Sequence, residues 1–120
     1  MRTGTPRGEL ARRTRAFART VIAVSRILPT TREGRLLGDQ LFRSGTSVGS
    51  NYRAACRARS RAEFIAKLGI ALEEADESQY WLELIADMKL LSVSQVSGAA
   101  AEAGEVVAML VASIKTAKGI

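Results

Sequence analysis

A chain of 120 residues with 47% hydrophobic side chains is long enough for one domain that buries roughly two thirds of its unfolded surface. It carries a net charge of +6, no histidine and one cysteine, Cys56. That composition excludes an internal disulfide, a Cys/His zinc site and any catalytic arrangement that needs imidazole as its base.

The punctuation divides the chain into four elements. Thr5-Pro6 pairs an N-cap with a proline at the first helical position, so a helix is expected over about 6–28. Its apolar stripe is Leu10, Phe17, Val21, Val24 and Leu28. Thr30 and Glu33 form a capping-box pattern after Pro29 and open a second helix over about 31–57. Leu37, Leu41, Ser44, Val48, Tyr52 and Ala55 form its stripe. Ser60 and Glu63 open a third over about 61–91, striped by Phe64, Leu68, Ala71, Ala75, Ser78, Leu82 and Ile85. Ser92 and Gln95 open the fourth over about 93–117, striped by Val96, Ala99, Ala103, Val106 and Leu110, with Gly119 just beyond. No segment alternates as a strand does. Four such stripes can be buried only against one another, which predicts an all-α fold: a single-domain, antiparallel up-down-up-down four-helix bundle.

The stretch from Arg43 to Phe64, rich in glycine and serine and then in arginine, has two readings, a phosphate-cradling loop or a helix of small residues. The stripe passes through it in register, and no lysine closes the glycine run as a Walker loop requires. It is therefore read as helix. Gly38, Gly45 and Gly49 share one face, and each glycine costs about 1 kcal/mol of helix propensity against alanine, so close packing should offset that cost. Gln40, Ser44, Ser47 and Asn51 form a neighbouring polar stripe, either a ladder of hydrogen bonds fixing helix register or a ligand site.

These same residues carry a resemblance. Gln40-Leu41-x-Arg43-Ser44-x-Thr46-Ser47-Val48-x-x-Asn51-Tyr52-Arg53 is one motif. Phe64-Ile65-x-Lys67-Leu68, Ala71-Leu72-x-Glu74-Ala75-x-Glu77 and Tyr80-Trp81-Leu82 make the second. Over about 31–91 the chain resembles the bacterial four-helix-bundle family encoded in intervening sequences of 23S ribosomal RNA genes. It is also similar to the accessory variability protein of diversity-generating retroelements, a basic bundle that binds nucleic acid and a reverse transcriptase. The resemblance implies a cytosolic homopentamer of four-helix bundles, with no established enzymatic activity. Relatives usually carry Glu after the Asn-Tyr-Arg position, where this chain has Ala54, so a role tied to that carboxylate does not carry over.

Charge is unevenly placed. Residues 1–60 hold thirteen arginines against Glu9, Glu33 and Asp39, a net +10, and the remainder carries −4. This points to an anionic partner for the first half, or to attraction between the halves. Arg12, Arg15, Arg19 and Arg26 fall on a narrow arc opposite the core stripe and make a cationic row roughly 21 Å long. Arg53, Arg57 and Arg61, joined by Arg59, continue the basic character around the second turn. Such a run is either a solvated face or a phosphate-binding one, since guanidinium groups grip phosphate oxygens in pairs. Few aromatics accompany it, so base-specific readout is not expected.

On the third helix Trp81, Leu84, Met88 and Leu91 form a second apolar stripe, which a helix in an isolated bundle does not need. It marks either deeper packing or a subunit interface. Glu73, Glu74 and Glu77 lack the histidines of a di-iron bundle, so no metal or cofactor is expected. Cys56 sits among arginines that would lower its pKa, and is either reactive or a packing residue. The apolar residues Phe17–Leu28 are broken by Arg19 and Arg26, so no secretory leader is expected, and Val106–Ala112 is too short to span a bilayer. The sum is a soluble, cytoplasmic, non-enzymatic homo-oligomer. Its partner is nucleic acid, RNA above all, or alternatively an acidic protein such as a reverse transcriptase.

Overall fold

The four stripes become four helices because each start and stop is chemically marked. The computed structural model describes residues 5–120. Helix α1 (Pro6–Arg26) begins where the Gly8 N–H donates to the Thr5 hydroxyl, 3.0 Å away. Helix α2 (Arg32–Cys56) is capped by Thr31, whose hydroxyl accepts from the Gly34 N–H at 3.2 Å. The cap thus lies one residue beyond the Thr30 expected from the box pattern. Helix α3 (Arg61–Asp87) starts at Ser60, which accepts from the Glu63 N–H at 3.0 Å. The Glu63 carboxylate reaches back to the Arg59 N–H rather than to the cap itself. Helix α4 (Val93–Lys118) has the complete reciprocal box between Ser92 and Gln95 and ends at Gly119 with φ 76°. A positive φ suits a residue without Cβ.

The end of α3 differs from the sequence expectation, and the difference changes one candidate residue. The helix stops at Asp87, not near 91. Lys89 takes φ 58°, and the Leu90 N–H donates to the Ile85 carbonyl at 3.1 Å while the Lys89 N–H donates to Ala86 at 3.0 Å. This pair of bonds closes a helix in the Schellman manner and turns the chain back on itself. Leu91 therefore leaves the outward stripe and folds into the core, 6% exposed. It is not available to a partner subunit.

Neighbouring helices run antiparallel, each packing on two others: α1 on α2 and α4, α3 on α2 and α4. The body measures 44 × 24 × 23 Å. The stripes read from the sequence form its core. Phe17, Val21, Leu41, Val48, Leu68, Leu82, Ile85, Val106 and Leu110 are buried, as is the small-residue series Ala71, Ala75 and Ala103. Leu37 and Phe64 pack on its edge. α4 is by length and composition apolar enough to cross a membrane. Its five-residue stripe is buried in the bundle, and Glu102 and Glu105 engage Thr20 and Arg13 of α1.

The glycines of α2 allow close approach to α1, but unequally. A Cβ on Gly45 would stand 2.6 Å from both Val21 methyls. One on Gly38 would stand 3.1 Å from Leu28, and one on Gly49 only 3.5 Å from Thr14. Val21 is fully buried and β-branched, with one strongly preferred helical rotamer, so it cannot swing aside. Gly45→Ala should lose more to overpacking, about 1–3 kcal/mol, than it gains in helix propensity, about 1 kcal/mol. Gly49→Ala should be neutral or stabilising. Paired thermal melts check this, and equal shifts for both variants would refute the close contact at Gly45.

Candidate nucleic-acid interface

The contacts of Gly45 with Val21 and Gly49 with Thr14 fix the register of α1 on α2. That register sets Arg12 level with Arg53 and Arg19 level with Thr46. On α1, Arg12, Arg15, Arg19 and Arg26 are all exposed and face away from the core, as their spacing implies. On α2, Arg35, Phe42 and Arg53 fall within about 20° of one another at 100° per residue, with Arg57 about 40° further round. They adjoin the α1 row. The two helices thus present one basic face, and Arg2 lies outside the described residues.

The guanidinium groups on this face are not equivalent. Arg12 donates to the Glu9 carboxylate one turn before it. That contact holds the Glu9 carboxyl below its ordinary pKa, but the pair lies at the surface and solvent screens it. Arg13, which faces sideways, pairs with Glu105 of α4. Among the described residues, Arg15, Arg19, Arg26, Arg35, Arg53 and Arg57 make no ion pair. Asp39 is the acid that shares the α2 side of the face.

Arg59 and Arg61 do not extend the row. α2 ends at Cys56 and the chain turns before α3, so the +4 spacing from Arg53 to Arg61 is not helical throughout. Both residues instead line a cleft of about 550 Å³ at the end of the bundle, with Arg7, Phe64, Cys56 and Thr116. Two of its three guanidinium groups are already engaged. Arg7 lies 4.6 Å over the Phe64 ring, and Arg61 Nε donates to the Ala117 carbonyl. Cys56 is half-buried beside Tyr52, whose hydroxyl donates to the Arg7 carbonyl at 3.2 Å. Burial pushes the Tyr52 phenol above its ordinary range, so it remains a neutral donor.

At the other end of α1, Arg26 and Arg35 flank a cleft of about 270 Å³ that also includes Asp39 and Phe42. Phe42 is 46% exposed. The sequence reading did not single out Phe42 or Arg35. A helical wheel carries the signal: Phe42 follows the core residue Leu41 and so lies about 100° off the stripe.

Against known proteins, the model of the 23S rRNA-intervening sequence protein family matches residues 8–112. The chain belongs to that family. Among solved structures it is similar to a protein of unknown function from the S23 ribosomal protein family of Bacteroides thetaiotaomicron VPI-5482. The two are 33% identical over 92% of this chain and 99% of that chain, with a TM-score of 0.87. No curated protein matches the chain.

The residues that carried the family resemblance meet on the α2–α3 face. Arg43 donates to Glu74 at 3.1 Å, to Glu77, and to the side-chain amide oxygen of Gln40 at 3.4 Å. The Trp81 indole N–H donates to the same Glu77 at 3.0 Å. Behind them the buried hydroxyls of Ser44 and Ser78 lie 2.9 Å apart. Of the polar stripe, only Ser44 bonds directly across helices. The Ser47 hydroxyl donates to the Arg43 carbonyl and the Asn51 amide to Ser47, both within α2. Arg43, with the Ser44–Ser78 contact, rather than a full ladder, ties α2 to α3.

Proposed function

We propose that this protein is a non-enzymatic, cytoplasmic homo-oligomer, of five subunits as the resemblance implies, that binds structured RNA without reading its sequence. The observation that carries this reading is the α1–α2 face, where six exposed arginines have no carboxylate partner among the described residues. Paying to hold so many like charges on one side is reasonable if phosphate neutralises them. Titration with RNAs of unrelated sequence at several salt concentrations tests it. Binding should be similar across sequences and weaken steeply with salt.

A second reading has support in the acidic helix. Glu73, Asp76, Glu83 and Asp87 of α3 are exposed, so the basic face could dock a neighbouring subunit or an acidic protein such as a reverse transcriptase. Salt-sensitive assembly without RNA affinity would favour it.

The oligomer rests on an apolar patch. Met88 and Tyr80 are each 56% exposed, with Leu84 and Trp81 half-buried beside them. The Ser44–Ser78 contact sets Leu36, 54% exposed, level with the stretch between Leu84 and Met88. Apolar surface gathered in one place marks an interaction site. Light scattering should report about five chains per particle, closed by symmetry. Leu84→Glu with Met88→Glu should give a folded, smaller particle, and an unchanged mass would remove these residues from the interface.

A further inference from the structure

We infer that the cleft at the α1–α2 turn seats one unpaired nucleotide, its base stacked on Phe42 and its phosphates held by Arg26 and Arg35. This rests on the RNA reading above and adds which part of the RNA the face grips. A large aromatic side chain 46% exposed beside two unpaired guanidinium groups is not explained by the core, which is complete without it. The three groups share one cleft although Arg26 comes from α1 and the others from α2. At about 270 Å³ the space lies just below the range of sites for drug-sized ligands, which suits a single base rather than a whole cofactor.

The chemistry selects the occupant. Every base offers a π face, and stacking on an aromatic ring tolerates any sequence. In a duplex those faces are covered by neighbouring base pairs, so the ring can serve only an unpaired residue, in a loop, bulge or single strand. Ser25, Thr30 and Asp39 give the base edge polar neighbours, and with two arginines the cleft stays net positive. Arg26 is also the last member of the α1 row, so a strand lying along that row runs into the cleft.

The test compares a single-stranded RNA with a fully paired RNA of equal length, using the full chain and its Phe42→Ala and Phe42→Trp variants. Phe42→Ala should weaken single-strand binding roughly 5- to 150-fold, the loss of one stacked base. Duplex affinity and the salt slope should stay unchanged, because no charge is removed. Phe42→Trp should retain single-strand binding. Equal single-strand affinity in Phe42→Ala, an equal loss on both RNAs, or a changed particle mass would overturn the nucleotide seat while leaving the arginine face standing. If the unmodified chain bound neither RNA, the RNA reading itself would fall, and the seat with it.

Discussion

Gly34→Ala is expected to cost more stability than any other single added methyl group in α2. A Cβ there would stand 2.0 Å from the Pro29 carbonyl oxygen and 3.1 Å from its carbon. Those atoms are backbone, so no side-chain rotation relieves the overlap and the α1–α2 turn itself must move. Overpacking typically costs about 1–3 kcal/mol, and a rigid obstacle places this case at the upper end. For a domain of this size that lowers the melting temperature by roughly 10 °C. The same residue lines the cleft with Arg35 and Phe42, so the variant should also weaken single-strand binding in the fraction that remains folded. A melting temperature equal to that of the unmodified protein would mean the turn is far more pliant than its packing indicates.

That clash was not legible in the sequence, although Gly45 as a packing position was. The glycines of α2 share a helical face, so periodicity alone suggested that another helix approaches there. Periodicity says nothing about a turn, and the contact of Gly34 is with the chain five residues earlier. The helices themselves were readable because the caps Thr5, Ser60 and Ser92 and the apolar stripes agree with one another. The end of α3 was not, since Leu91 keeps the helical spacing of Trp81, Leu84 and Met88 while a left-handed Lys89 reverses the chain before it. A lysine gives no sign of such a turn, as a glycine would have.

The basic face shows the same division. Spacing along one helix placed Arg12, Arg15, Arg19 and Arg26 together and outward. It could not show that Glu9 partly neutralises Arg12, that Arg53 joins the row from a second helix, or that Arg59 and Arg61 leave it. Those facts depend on side-chain reach and on interhelical register, which the Gly45–Val21 contact sets.

Replacing Arg15, Arg19 and Arg53 together with Gln should then abolish most RNA binding without unfolding the protein. These three are exposed, make no ion pair among the described residues and lie off the core stripes, so their loss removes charge and little else. Arg12 is left in place because its removal would free the Glu9 carboxylate to repel phosphate. Each phosphate contact contributes about 0.9 to the logarithmic salt slope on duplex and about 0.7 on single strands. Three fewer contacts should lower the slope by roughly 2.7 or 2.1. If the counterion contribution vanishes near 1 M salt, affinity at about 0.1 M falls by about a hundredfold or more. On the RNA reading proposed above the loss should be the same for every sequence, because groups that meet phosphates rather than base edges carry no sequence information. Circular dichroism and light scattering should find the helix content and particle mass unchanged. If instead the particle dissociates while RNA affinity holds, these arginines bridge subunits through the acids of α3, and the docking reading replaces the RNA one.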